Sequence, residues 1–181
     1  YIHTGSFVER DGDHYYNTAL LIDPNGKCVG KYRKTHLFSF KSREPELLTG
    51  GFNTCIVDTE YGRVGLATCY DLRFPEQFRI MMNLGVEYFL ICSAWGAART
   101  GHWRLFNQAR AVENQCFLVS CDGVGTHGGV TLAGHSMIID PWGEIIAEAG
   151  ETEQILSAEV DPGLIIDNRN NFSALKDKRL V

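Results

Sequence analysis

The chain has 181 residues, 17 Lys+Arg against 22 Asp+Glu, a net charge of −5 and 44% hydrophobic residues. This is ordinary composition for a globular protein with enough material for one buried core. The acidic excess without a basic run excludes a nucleic-acid binder held by phosphate contacts, and no apolar run reaches the roughly 18–20 residues of a membrane span.

In chain order, residues 7–13 (FVERDGD) read as an exposed turn carrying Glu9. Residues 17–22 (NTALLI) read as a strand, Asp23-Pro24-Asn25-Gly26 as a turn, and residues 27–32 as the returning strand. The same grammar recurs at residues 135–147, where HSMII leads into Asp140-Pro141-Trp142-Gly143 and then EIIA. Two hairpins of the form I-D-P-x-G predict a fold with two similar halves.

Between them, residues 54–59 and 63–68 read as strands around a Glu60-Tyr61-Gly62 turn. Residues 75–84 read as a helix capped by Gly85. Residues 87–92 (EYFLIC) and 115–121 (QCFLVSC) are buried-type strands. Between these two, residues 102–114 carry apolar side chains near the 3.6-residue period of a helix. The β-α-β-α-β order predicts an α/β fold. The polar tail, residues 161–181, predicts an extended C-terminal arm.

Six cysteines without a CxxC or zinc-like spacing predict free thiols, a reducing cytoplasmic setting and no metal. Cys55, Cys92 and Cys116 lie in apolar runs and predict packing roles. Cys69 differs, because it ends a hydrophobic strand just before a helix and is followed by Asp71, Arg73 and Glu76. A thiol on such a turn lies close to backbone N–H groups, which favour its thiolate. The alternative is a buried structural cysteine. In residues 31–38 (KYRKTHLF), the cations form either a solvated strand end or a site with one inward lysine that polarises a substrate oxygen. Cys92-Ser93-Ala94-Trp95-Gly96 ends another buried strand, where α/β sites gather. A Cys-dependent redox role fits poorly, since no resolving cysteine lies within a few residues of Cys69.

Five segments in order carry a resemblance: YRKTHLF (32–38), REPELLTGG (43–51), GLATCYDLRFPE (65–76), HWRLFNQARAVEN (102–114) and GHSMIIDPWGE (134–144). The chain resembles the nitrilase, or carbon–nitrogen hydrolase, superfamily, in the amidase branch of Nit proteins and omega-amidases. The resemblance implies a nitrilase-like α-β-β-α sandwich, with residues 1–181 as one partial domain incomplete at its N-terminus. It implies a Glu-Lys-Cys site without metal or organic cofactor. The lysine falls on Lys34 and the nucleophile on Cys69. A second glutamate falls on Glu44, with Glu46 a weaker candidate. Lys34 and the backbone N–H of Tyr70 would hold an oxyanion, and Ala94 and Trp95 would line the substrate pocket.

The implied reaction is hydrolysis of a small carboxylic amide through a Cys69 thioester with release of ammonia, in a homodimer paired through the helices near Pro75 and His102. Arg73 and Arg99 are candidates to hold a substrate carboxylate, although a salt bridge to Asp71 or Glu76 is the simpler reading of Arg73. His135 is expected to be structural. Glu9 is the only glutamate before Lys34 and is not assigned as the family's upstream general base. The alternative function is therefore a catalytically silent module acting through protein association.

Overall fold

The computed structural model describes residues 1–180. β1 (Ile2–Asp11), β2 (His14–Ile22) and β3 (Cys28–Arg33) form an antiparallel three-stranded sheet of order β1-β2-β3. After the short helix α1 (Glu44–Leu47), a second sheet is built from β4 (Cys55–Thr59), β5 (Gly62–Thr68), β6 (Tyr88–Ser93), β7 (Phe117–Asp122), β10 (Met137–Ile139) and β11 (Ile145–Glu148). Its order is β11-β10-β7-β6-β5-β4, with β5, β6 and β7 parallel. The crossovers are α2 (Pro75–Asn83) and α3 (Thr100–Asn114). A small ribbon, β8 (Thr126–His127) with β9 (Val130–Thr131), precedes β10, and α4 (Gly163–Asn171) with a 3-10 turn, Ser173–Leu175, follows β11. Among the described residues no helix is long and apolar enough to cross a membrane.

Two cores follow from the two periodicities. Leu21 and Tyr32 from the small sheet meet Cys55, Val57, Val64 and Leu66 of the large one. Gly30 permits this approach, since a Cβ there would sit 2.6 Å from Val57 Cγ2. On the other side of the large sheet, Phe78, Met81 and Trp103 from α2 and α3 pack on Phe89, Ile91, Leu118 and Met137. Three layers of the expected sandwich are thus present: small sheet, large sheet and helices.

The repeated I-D-P-x-G hairpins fold alike, one in each sheet. Asp23 Oδ1 accepts the backbone N–H groups of Asn25 and Lys27, and Asp140 Oδ1 accepts those of Trp142 and Glu144. Each carboxylate satisfies turn amides that the short loop leaves unpaired.

Two expectations need correction. Residues 7–13 are not a free turn. Most of them belong to β1, and the actual turn is Gly12-Asp13, with Gly12 at φ +61. The charged run hid the strand because its outward residues are ion-paired rather than apolar. The tail is not wholly extended, because α4 docks on the body. Asn168 is buried and bonds to Gln115 and to the Pro141 carbonyl, while Arg169 donates to the carbonyls of Gln115 and Val86. Polar docking of this kind leaves no hydrophobic period to read.

Candidate active site

The two-residue period of β3 sorts the cations of residues 31–34. Tyr32 points between the sheets, and Lys31 and Arg33 point to the outer face. There Glu9 receives Lys31 and Arg33, and Thr18 donates to it at 2.6 Å. Arg33 and its partners hold the Glu9 carboxyl well below the usual carboxylate range. Glu9 therefore lies on the outer face, whereas Ser6 and Asn17, on the inner face, border the cavity described below.

Lys34 follows on the inner side and is 3% exposed. Its Nζ lies 2.8 Å from both carboxylate oxygens of Glu44. Glu44 also accepts the Phe38 backbone N–H at 2.6 Å and the Asn17 amide at 3.3 Å. The main chain holds Lys34 as well: its N–H donates to the Asn17 carbonyl, and its carbonyl accepts from Gly51. Gly51 has to be glycine here, because a Cβ would sit 2.2 Å from the Arg33 carbonyl oxygen. Glu46 is exposed and pairs with Arg43, away from the cavity.

Cys69 directly follows β5 and opens a 3-10 turn, Cys69–Arg73, with φ +49. A non-glycine residue in the left-handed region is uncommon and strained, and it turns the side chain out of the strand's alternation. Burial pushes the Cys69 thiol up; Lys34, the Ser93 hydroxyl and the Ala94 N–H pull it down, while Asp122 pushes it up.

One buried carboxylate ties these two segments together. Asp71 is fully buried. It accepts the Tyr32 hydroxyl at 2.6 Å, the His36 N–H at 3.0 Å and the Thr68 N–H at 2.9 Å, and the His36 ring lies 2.8 Å away. Gln77 from α2 donates to the Tyr32 hydroxyl. The strand end carrying Lys34 is thereby fixed to the turn carrying Cys69. Tyr32→Phe leaves Gln77 and Asp71 each short of a buried partner. It is expected to cost about 1–3 kcal/mol of stability, to be measured by chemical denaturation.

Lys34, Glu44, Cys69, Tyr70, Ala94 and Trp95 all border one cavity of about 220 Å³. Asn17, Phe38, Ser93, Arg73 and Arg99 border it too. Arg73 makes no salt bridge to Asp71 or Glu76, contrary to the simpler expectation, because Asp71 is already engaged. Its guanidinium instead lies 4.9 Å from the Trp95 ring, 5.1 Å from Phe106 and 5.9 Å from Tyr70. Arg99 lies 5.7 Å from the Phe38 ring. Neither arginine meets a carboxylate among the described residues, whereas Arg33, Arg43, Arg63, Arg104 and Arg110 all do.

His135 lies outside this cavity, with its ring 2.7 Å from Glu148 and its carbonyl accepting the Trp103 indole N–H. All six cysteines are free. Among the described residues no group of three or more His, Cys, Asp or Glu side chains could hold a metal ion. Sequence reasoning missed Asn17, Ser6 and Asp122. Nothing local marks Asn17 or Ser6, and Asp122 was hidden at the end of an apolar strand.

The sequence profile of the family described as carbon-nitrogen hydrolase matches residues 1–170. The chain is 36% identical to a 2-oxoglutaramate amidase of Paenarthrobacter nicotinovorans, across 99% of this chain and 64% of that protein. It is also 36% identical to the omega-amidase NIT3 of Saccharomyces cerevisiae, across 97% of this chain and 64% of the relative. The chain thus spans just under two-thirds of the length of these relatives. The crystal structure of Saccharomyces cerevisiae Nit3, a member of branch 10 of the nitrilase superfamily, superposes with a TM-score of 0.91, covering 98% of this chain and 66% of that one.

Proposed function

Because the chain belongs to the carbon–nitrogen hydrolase family of the nitrilase superfamily, we propose that its cavity hydrolyses the amide of a small carboxylic acid. The observation that carries the reading is a buried ammonium, Lys34, clamped by Glu44 in the cavity that also holds Cys69. In this reading the Cys69 thiolate adds to the amide carbonyl. The Lys34 ammonium and the Tyr70 backbone N–H stabilise the oxyanion. The C–N bond breaks, the nitrogen leaves as ammonia carrying the proton that the Cys69 thiol gave up, and a thioester forms on Cys69. Water then adds to the thioester and releases the carboxylic acid and the thiol. Glu44 positions Lys34 and the water. Ala94 and Trp95 line the acyl portion of the pocket. No metal or organic cofactor takes part. Pairing of two copies through α2 and α3, whose surfaces expose Ile80 and Leu105, belongs to the same reading.

The two guanidiniums without a carboxylate suit a substrate that brings its own, such as an ω-amide of a dicarboxylic acid. Arg99→Gln is expected to raise KM for such ω-amides by about tenfold while leaving neutral amides unchanged. Equal effects on both would remove the carboxylate from the proposal. The overall test is ammonia release from short ω-amides by the protein.

A second reading is a silent module acting through association. It is favoured by one observation: among the described residues, Glu44 is the only carboxylate bordering the cavity, and it is already engaged by Lys34, Asn17 and Phe38. Absence of ammonia release from every amide tried, with the protein folded, would support it.

A further inference from the structure

Behind Cys69 lies a second carboxyl group that the proposed chemistry does not use. Asp122 ends β7, in register with Ser93 at the end of β6. It is 6% exposed. Its Oδ1 accepts the Trp95 N–H at 2.6 Å, while its Oδ2 is buried without a hydrogen-bond partner. Ser93 Oγ is likewise buried and unpartnered. The Ser93 hydroxyl stands near enough to both Asp122 and Cys69 to favour the anionic form of each, and the Ala94 N–H favours the Cys69 thiolate.

We propose that Asp122 is a positioning residue for the Cys69 sulphur, acting through the Ser93 hydroxyl and the Ala94–Trp95 backbone. This rests on the reading of Cys69 as the nucleophile. Its short bond to Trp95 N–H fixes the strand end whose preceding residues, Ser93 and Ala94, face the thiol. Strand register puts the two on opposite sides of the end of β6, since Cys69 follows Thr68, the partner of Cys92, and Asp122 pairs with Ser93; the charge on one opposes the charge on the other.

The groups facing Asp122 can be named element by element. The end of β6 presents the Ser93 hydroxyl and the Trp95 N–H, and the segments after β7 and before β10 present the N–H groups of Gly123 and Gly134. The turn after β5 presents Cys69, and Lys34 and Glu44 stand beyond it in the cavity. Burial pushes the Asp122 carboxyl up to about 6, against the backbone N–H groups and Ser93 that pull it down. Below that pH Asp122 is neutral and the thiol ionises more easily. Above it the carboxylate opposes the thiolate.

The test is the rate of Cys69 alkylation by iodoacetamide against pH, read by peptide mass spectrometry, which needs no turnover. The wild-type profile is expected to show two parallel limbs of unit slope in log rate, joined by a flatter stretch centred near pH 6. Asp122→Asn keeps an acceptor for Trp95 and a donor for Ser93 but removes the charge. It is expected to give one unbroken limb, with alkylation at pH 7.5 faster by about tenfold. Ser93→Ala is expected to keep both limbs but slow both, and it serves if Asp122→Asn fails to fold by circular dichroism. A wild-type profile without the flat stretch overturns the proposal. So does an Asp122→Asn or Ser93→Ala profile that superposes on wild type. If the flat stretch is present but the protein releases no ammonia from any amide, the amidase reading falls and this one stands.

Discussion

Cys69→Ala is expected to lower ammonia release by about 10⁴-fold or more, because the proposed reaction has no covalent intermediate without the sulphur. The fold should tolerate the change. Cys69 sits at φ +49 with either side chain, so the backbone strain is common to both. The turn is held by Asp71, which receives the Thr68 N–H and the Tyr32 hydroxyl, and not by the thiol. Ammonia assays and thermal melting on the same preparations check both halves. Trapping an acyl group on Cys69 by rapid acid quench and intact-mass measurement would add the chemical species. A variant that kept more than about a tenth of the wild-type rate would exclude Cys69 as the nucleophile.

Lys34→Met is expected to damage stability and activity together. The ammonium is 3% exposed and its Glu44 partner 13% exposed, so removing it strands a largely buried carboxylate. Breaking such a pair costs about 3–5 kcal/mol. That lowers the melting temperature by about 6–20 °C for a chain of this size. Loss of the oxyanion partner separately costs about 10²–10³-fold in kcat. The two effects separate in the double variant Lys34→Met/Glu44→Gln. With no stranded charge, it should recover much of the stability but none of the activity. If the double variant recovered activity as well, Lys34 would have a purely structural role.

The two substitutions differ in how far local sequence anticipates them. The turn at Cys69 was legible, because a hydrophobic strand running into charged residues and a helix start allows few conformations. From its neighbours alone Lys34 was legible only as one of several adjacent cations, and the family resemblance singled it out. Which of them turns inward depends on the register of β3 against β2 and on the small sheet lying over the large one. Glu9 shows the same limit from the other side. Its neighbours suggested an exposed turn, whereas strand pairing places it on the outer face against Arg33 and Lys31.

Asp71 and Asp122 were the least legible. In sequence Asp71 stands beside Arg73, and a local salt bridge is the simplest reading. In the fold it is buried between two segments some 35 residues apart and bonds to Tyr32, His36 and Thr68, while Arg73 stacks on aromatic rings. Asp122 sits among backbone N–H groups that come together only when β6, β7 and the segment before β10 are in place.

The amino-acid order by itself determined the central strands and helices, the two Asp-Pro hairpins, the α/β class and the motif series that carries the family. These depend on local sterics and on periods of 2 and 3.6 residues, and both are written in neighbouring positions. Only the tertiary structure decided which charges face the cavity, which are neutralised on the outer face, and which carboxylates are buried behind the thiol. Electrostatic and hydrogen-bond partners are chosen by distance in space. Here the decisive pairs join β3 to the Cys69 turn and β6 to β7, across separations that no local pattern spans.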